Sequence, residues 1–300
     1  MTALRYSYYP GCSLHASASE YDLSTREVFA VLGVGLEEIP DWICCGATPA
    51  HNVDELLSLS LSAKNLELAE QVPGDMAVAC ASCFSRLKFA QHILGENETK
   101  RKLVEKAIDG PVRLERRVKH LLEILVRDYG LEQLQAAVKK PLVDLKVACY
   151  YGCLLTRPTD VPNLDCTEAP IIMEKVMEAV GAQTVAWTHR LECCGANFTL
   201  SRPPVVQQLS NAVLESAKAA GAECIVVACP LCHGNLDIRQ KEIEGVYETS
   251  YGLPIFYLTQ LVGLALGVPQ ERLGLDALIV SPQKLFKDKN SFKAGLCCVV

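Results

Sequence analysis

Ten of the fifteen cysteines fall into two sets with the same spacing. In the first set a vicinal pair follows a lone cysteine after 31 residues, and a CxxC motif follows the pair after 34 more. In the second set the corresponding intervals are 39 and 34 residues. The sets are Cys12, Cys44, Cys45, Cys80 and Cys83, then Cys153, Cys193, Cys194, Cys229 and Cys232. Two copies of one thiolate-rich module therefore organise the chain.

Three kinds of chemistry use clustered thiolates. Structural zinc takes four tetrahedral ligands, so five cysteines are one too many, and two adjacent cysteines chelate a single ion poorly. Thiol–disulfide exchange needs only a CxxC and leaves the other three cysteines of each set without a role. Iron–sulfur clusters are normally held by four thiolates. Five per set favours an iron–sulfur centre with either a spare or a bridging thiolate, and the spacing does not choose between these.

The composition limits the other classes of function. The chain has 300 residues, of which 50% are hydrophobic, and a net charge of −6, which argues against a nucleic-acid-binding surface. The first ten residues lack a signal pattern, and the apolar stretch 258–268 is about half as long as a bilayer requires. No Gly-rich nucleotide fingerprint precedes a helix, so we expect no flavin or NAD in this chain. We expect a cytoplasmic protein without a membrane span.

The cysteines follow strands in a repeated pattern of strands and helices. Strands are predicted at 4–9, 34–39, 76–79 and 111–114, and again at 145–151, 183–187, 224–228 and 254–257. Helices are predicted at 22–32, 54–70 and 118–126, and at 171–180, 205–220 and 260–266. This alternation indicates an α/β protein of two pseudo-symmetric domains, each a small, mostly parallel sheet flanked by helices. We place the domains at residues 1–140 and 141–300, with the cysteines beyond the carboxyl ends of the strands.

Three motifs carry a family resemblance. They are Tyr9-Pro10-Gly11-Cys12, Asp41-Trp42-Ile43-Cys44-Cys45-Gly46 and Glu192-Cys193-Cys194-Gly195. With the complete ten-cysteine pattern, they resemble the duplicated cysteine-rich CCG domain. Over nearly its full length the chain is similar to the family of heterodisulfide reductase B subunits.

The resemblance implies a cofactor, a reaction and partners. Each set of five cysteines, as given above, would hold one noncubane [4Fe-4S] cluster, and the two clusters would flank a site where a small-molecule disulfide is reduced or, in reverse, formed. In methanogens the family's substrate is the coenzyme M–coenzyme B heterodisulfide. The implied partners are the ferredoxin-like iron–sulfur C subunit and the flavoprotein A subunit of such a complex. Relatives in lactate and glycolate oxidation carry similar repeats as electron-transfer modules, and a zinc-stabilised interaction protein is a third hypothesis.

Other residues are candidates because they lie near the cysteines in sequence. His15, His51 and His233 each follow a ligand candidate and are hypothetical hydrogen-bond or proton donors. Three arginines near the second set, Arg157, Arg190 and Arg202, are candidate partners of an anionic substrate. The N–H groups beyond Gly46 and Gly195 are candidate donors to cluster sulfurs. Cys149 and Cys224 are expected to be buried in strands, whereas Cys297 and Cys298 are expected in a frayed terminus.

Overall fold

The computed structural model describes residues 4–47, 50–158, 161 and 164–289, which form two parallel sheets. Each sheet has four strands, in the order β2-β1-β3-β4 and β6-β5-β7-β8. The strands of the first sheet are β1 (Arg5–Tyr9), β2 (Gly35–Glu38), β3 (Met76–Val78) and β4 (Val118–His120). Those of the second are β5 (Lys146–Tyr150), β6 (Gln183–Thr184), β7 (Cys224–Val227) and β8 (Ile255–Tyr257). The predicted class, two pseudo-symmetric α/β domains, is confirmed.

Helices cover the sheets in both halves. The first half contains α1 (Gly11–Leu14), α2 (Ser19–Val31), α3 (Ala50–Val53), α4 (Glu55–Ala69), α5 (Ala81–Glu96), α6 (Glu98–Ile108), α7 (Leu121–Glu123), a π-helical stretch (Ile124–Gly130) and α8 (Leu131–Ala137). The second contains α9 (Ile172–Ala179), α10 (Pro203–Ala219), α11 (Pro230–Asp237), α12 (Gln240–Val246), α13 (Leu258–Ala265) and α14 (Gln283–Asp288). Short 3-10 turns lie at His189–Leu191, Ala196–Phe198, Gln270–Arg272 and Leu275–Ala277. Within the described ranges, no helix is both long and apolar enough to cross a bilayer.

One predicted strand was wrong. The stretch 111–114 is not a strand, and β4 instead lies where a helix had been predicted, with Val118 paired in register with Met76. The error has a physical cause, because β4 carries a lysine and a histidine that suggest a solvated surface. Lys119 is nevertheless only 5% exposed, since Asp75 and Asp128 neutralise its charge at 3.2 Å and 2.6 Å.

One large hydrophobic core runs through both halves, and a smaller one lies among α4, α5 and α6 of the first half. Helix α13 is buried along its whole length, because it packs against its own sheet and against α2 of the first half. The rings of Tyr21 and Tyr257 stack with their centroids 4.1 Å apart, and the hydroxyls of Ser24 and Thr259 are hydrogen bonded at 2.7 Å. The halves therefore form one packed unit.

The boundary near Lys140 and Pro141 stays a prediction. Those residues lie between α8 and β5, and the N–H groups of Lys139 and Lys140 both donate to the carbonyl of Ala265 in α13 at 2.9 Å. The linking segment is thus held against the second half. Cys149 and Cys224 are buried in β5 and β7 as expected, whereas Cys297 and Cys298 lie outside the described residues.

Candidate metal centre

Three neighbouring strands of each sheet deliver the cysteines to one edge. In the first half Cys12 follows β1, the vicinal pair follows β2 and the CxxC follows β3, and these strands are adjacent in the order β2-β1-β3. The second half repeats this arrangement with β5, β6 and β7. Because all the strands are parallel, their carboxyl ends lie at the same edge, where the chain order reverses and a crevice opens. The sheet topology therefore gathers cysteines that are far apart in sequence.

A buried tyrosine holds each vicinal pair in place. The hydroxyl of Tyr9, at the end of β1, donates to the carbonyl of Ile43 at 2.8 Å. In the second half the hydroxyl of Tyr150 donates to the carbonyl of Glu192 at 2.6 Å. Each accepting residue directly precedes a vicinal pair. The tyrosine of the first strand thus ties the loop after the second strand to the site.

A glycine before each lone cysteine makes room for a sulfur. Gly11 and Gly152 have φ values of +73° and +65°, which favour glycine. A Cβ on Gly11 would lie 3.0 Å from the Cys83 sulfur, and one on Gly152 would lie 3.1 Å from the Cys232 sulfur. The backbone of the lone-cysteine loop therefore lies directly against the CxxC.

The sulfurs of each set lie in contact with one another. The Cys45 and Cys83 sulfurs are 3.3 Å apart, and the Cys194 and Cys232 sulfurs are 3.6 Å apart. All ten cysteines are free thiols. The adjacent Cys12 and Cys45 thiols and the Gly46 N–H lower the pKa of Cys44 far below that of an ordinary thiol. The Cys153 thiol and the N–H groups of Gly195 and Ala196 lower that of Cys193, whose pKa is about 6. The first cysteine of each pair is therefore the favoured thiolate.

The two sets touch each other across the boundary between the halves. The thiols of Cys232 and of Cys80 lower the pKa of Cys229. Because Cys80 belongs to the first CxxC and Cys229 to the second, the two CxxC motifs interact directly. The Ser82 hydroxyl also lies 3.6 Å from the Cys229 sulfur, and the Ala81 N–H donates to the carbonyl of Ala228 at 3.1 Å. The two CxxC motifs are thus neighbours, a relation that the sequence spacing did not reveal.

The donor set fits a polynuclear centre better than a single ion. Among the described residues, no three His, Cys, Asp or Glu side chains converge as they do around one metal ion. The thiols instead form contacting pairs from three separate loops, with a glycine beside each lone cysteine leaving space for sulfur. Ligands that bind different atoms of one cluster need this wider distribution.

A groove leads to the second set. A small cavity of about 30 Å³ is lined by Ala81, Ser82 and all five cysteines of the second set. Ala196, Asn197 and Leu231 line both this cavity and a groove of about 900 Å³. The groove is mostly apolar, and Leu200, which lines it, is 96% exposed. It is large enough for a small-molecule ligand.

The three candidate histidines occupy different surroundings. His233 is buried, stacks on Tyr257 at 4.2 Å and is hydrogen bonded to the carbonyl of Ile255 at 3.0 Å. His15 lies 3.1 Å from Glu38 and packs against Trp42. His51 lies beside the first set, where burial and then the charge of Arg86 lower its pKa.

The candidate arginines have structural partners or are exposed. Arg190 pairs with Glu174 at 3.1 Å and Arg157 with Glu168 at 3.4 Å, while Arg202 is exposed at the start of α10. The structure instead places Arg86 and Asn235 beside the cysteines, residues that the sequence analysis missed. Both could have been found from their position, because each lies three residues after the last cysteine of its CxxC.

The chain belongs to the CCG cysteine-rich domain family. The family model, described as a cysteine-rich domain, matches residues 6–88 and 147–237, so that one copy covers each set. This confirms the duplicated domain expected from the motifs.

Several relatives match over nearly the whole chain. The 8-methylmenaquinol:fumarate reductase membrane anchor subunit of Wolinella succinogenes is 34% identical, covering 93% of this chain and 98% of the relative. The B subunit of the ferredoxin/F420H2-dependent CoB-CoM heterodisulfide reductase of Methanosarcina acetivorans is 30% identical over 97% and 99%. A protein of Archaeoglobus profundus that is described as like the heterodisulfide reductase B subunit is 29% identical over 93% and 96%.

A solved structure shares the fold. The crystal structure of a hypothetical protein from Helicobacter pylori superposes with a TM-score of 0.73 at 12% identity. The match covers 92% of this chain but only 52% of the other, so this chain spans about half of that protein.

Proposed function

We propose that the chain is the disulfide-handling, iron–sulfur subunit of a heterodisulfide reductase-type complex. The observation that carries this proposal is the contact between two complete five-cysteine sets, at the inner end of a groove sized for a small molecule. The relatives named as heterodisulfide reductase B subunits, or as similar to them, support the same reaction. The substrate would be a disulfide such as the coenzyme M–coenzyme B heterodisulfide, either reduced or formed.

The ten cysteines would hold two [4Fe-4S] clusters of the noncubane type, one per set. When bound, these centres would supply one electron each, which matches the two electrons that a disulfide takes up. The fifth cysteine of each set would serve as the additional thiolate of an enlarged cluster. The favoured thiolates Cys44 and Cys193 suit the first steps of metal binding, since the thiolate is the form that ligates.

The chain's other residues position and shield this site. Tyr9 and Tyr150 fix the loops that carry the vicinal pairs, so that the sulfurs keep their separation. The mostly apolar groove would bind one arm of the disulfide and exclude water from it. The Ser82 hydroxyl, beside Cys229, would donate a hydrogen bond to sulfur at the inner end of the cavity.

Electrons would come from partner proteins. The expectation of no flavin or NAD in this chain stays a prediction, and the family resemblance supplies the donors, which are the ferredoxin-like C subunit and the flavoprotein A subunit. The relatives named here are subunits of reductases, which supports assembly into a complex.

The test begins with protein purified without oxygen. About eight irons per chain are expected, and a disulfide substrate should change the electron paramagnetic resonance (EPR) spectrum of the reduced protein. Cys44→Ala should lose about half the iron and the response, whereas Cys166→Ala, an exposed cysteine outside both sets, should keep both. Colourless protein, or protein with mononuclear metal only, would refute the proposal.

A second function is electron transfer without a disulfide substrate. It is favoured by the membrane anchor subunit of a fumarate reductase, which is 34% identical over 93% of this chain. Iron-loaded protein whose EPR spectrum is unchanged by every small disulfide tested, while it still accepts electrons from a low-potential donor, would favour this function.

A further inference from the structure

The two cysteine sets differ in charge at one matching position. Helices α5 and α11 both start at a CxxC, and the residue three positions after the last cysteine is Arg86 in the first half but Asn235 in the second. Each interacts with the second cysteine of its vicinal pair, Arg86 with Cys45 through its charge and Asn235 with the Cys194 sulfur at 3.6 Å. A cation therefore stands in one half where a neutral amide stands in the other.

Asn235 makes only neutral contacts. Its Nδ2 donates to the carbonyl of Cys194 at 3.1 Å and lies 3.6 Å from the Cys194 sulfur, while its Oδ1 accepts from the Thr199 hydroxyl at 3.2 Å. The side chain is 3% exposed, and its role is that of a hydrogen-bonding brace. Arg239, which lines the groove, has its charge countered by Glu242 at 3.3 Å.

Arg86, by contrast, carries a charge that no carboxylate balances within the part of the chain that the structure describes. Its Nε is buried without a hydrogen-bond partner there, and its guanidinium lies 5.7 Å from the centre of the Phe89 ring. Burial lowers the pKa of Arg86, and the Cys45 sulfur is the charged group that acts against this. A half-buried arginine without a carboxylate partner is costly unless it serves a neighbouring negative charge.

We propose that Arg86 makes the two centres unequal, so that the centre held by the first set has the higher reduction potential. The inference rests on the proposed function, because it concerns centres that the ten cysteines would hold. Reduction adds one negative charge to such a centre, and a nearby buried cation stabilises that charge. Net charge and hydrogen bonding near the sulfurs are what set cluster potentials. An electron entering the chain would therefore settle beside Cys45 first.

The experiment is an EPR-monitored redox titration of the anaerobic, iron-loaded chain. In the unaltered protein we expect two signals whose midpoint potentials differ by at least about 59 mV. For a one-electron couple this difference corresponds to a factor of ten in the ratio of reduced to oxidised centre. Arg86→Asn, which copies the second half, should move the higher potential towards the lower one by at least that amount. Arg86→Lys keeps the charge and should restore most of the difference.

The matched control is Lys88→Gln, on the same helix. Lys88 lies over the Phe84 ring at 5.9 Å, and its removal deletes the same charge with little expected effect on either potential. Equal potentials in the unaltered protein would overturn the inference without any variant. Unchanged potentials in iron-replete Arg86→Asn, or an equal shift in Lys88→Gln, would also overturn it.

The proposed function can fail separately. Unequal, Arg86-dependent potentials in protein that ignores every disulfide would refute disulfide chemistry and leave the charge asymmetry intact. An iron-free preparation would overturn both.

Discussion

Replacing Gly11 or Gly152 by alanine tests whether these glycines exist for the sulfur behind them. Both have positive φ, and a new Cβ would meet a CxxC sulfur at 3.0 Å or 3.1 Å. The chain offers matched controls, because Gly33 (φ +70°) and Gly221 (φ +77°) have the same backbone conformation with no described atom within 4 Å of the added carbon. The controls would bear only the backbone cost.

That backbone cost is about 1–2 kcal/mol for each substitution. At roughly 2–4 °C per kcal/mol, all four variants should unfold about 2–8 °C below the unaltered protein. Only Gly11→Ala and Gly152→Ala should also displace a sulfur, so each should lose about four of about eight irons. Differential scanning calorimetry and iron analysis of the four variants separate the two effects.

The result that would refute this reasoning is specific. If Gly11→Ala keeps all its iron while it unfolds at the same temperature as Gly33→Ala, the close approach to the Cys83 sulfur has no role in metal binding. If Gly33→Ala loses iron as well, the loss comes from general destabilisation and not from the contact.

Three further predictions follow from buried polar groups. Asn235→Leu removes two hydrogen bonds, one to the Cys194 carbonyl, which keeps the Ser210 hydroxyl as a donor, and one from the Thr199 hydroxyl, and should cost about 1–3 kcal/mol of unfolding free energy, measured by urea titration; no loss would contradict its bracing role. Lys119→Met removes the cation that Asp75 and Asp128 share, although Asp75 keeps Arg117 at 3.1 Å, and should cost about 1–3 kcal/mol, whereas Tyr6→Phe, which removes one hydrogen bond to Asp128, should cost about 0.5–1.5 kcal/mol. Burial lowers the pKa of His120 to about 4, so the folded state binds fewer protons than the unfolded one between pH 4 and 6.5. Its contribution of about 3 kcal/mol is therefore complete above pH 6.5 and is lost as the pH falls towards 4, and this loss should be missing in a His120→Gln variant measured against pH.

Much of the architecture could be predicted because the strand and cysteine pattern occurs twice in the sequence, so that each copy supports the prediction made for the other. A weak strand signal before Cys12 gains weight from the same signal before Cys153, and both strands are present. Strand β4 was missed because Lys119 and His120 are polar residues whose burial the sequence pattern does not show. Their charge and polarity are satisfied by Asp128 and by the carbonyl of Ala79, partners that lie on other elements.

The sequence predicted which cysteines gather at each site, and their role as cluster ligands stays a prediction, whereas the residues around them were not predicted. Cysteine spacing indicated both sets, since the same arrangement of a lone cysteine, a vicinal pair and a CxxC occurs in each half. The contact between Cys80 and Cys229 arises from how the halves pack, which no spacing records. Arg86 escaped notice because a single arginine on a helix is ordinarily solvated, and only its buried Nε and its counterpart Asn235 distinguish it.

The complete burial of α13 has a consequence for how such a chain can be divided or inherited. Helix α2 covers the face of α13 on which Thr259 bonds Ser24 and Gly263 approaches Val28, so a separately made second half would expose that face to water. Each half therefore covers an apolar face of the other. A half that folds on its own would first need polar residues in place of the apolar ones on that face.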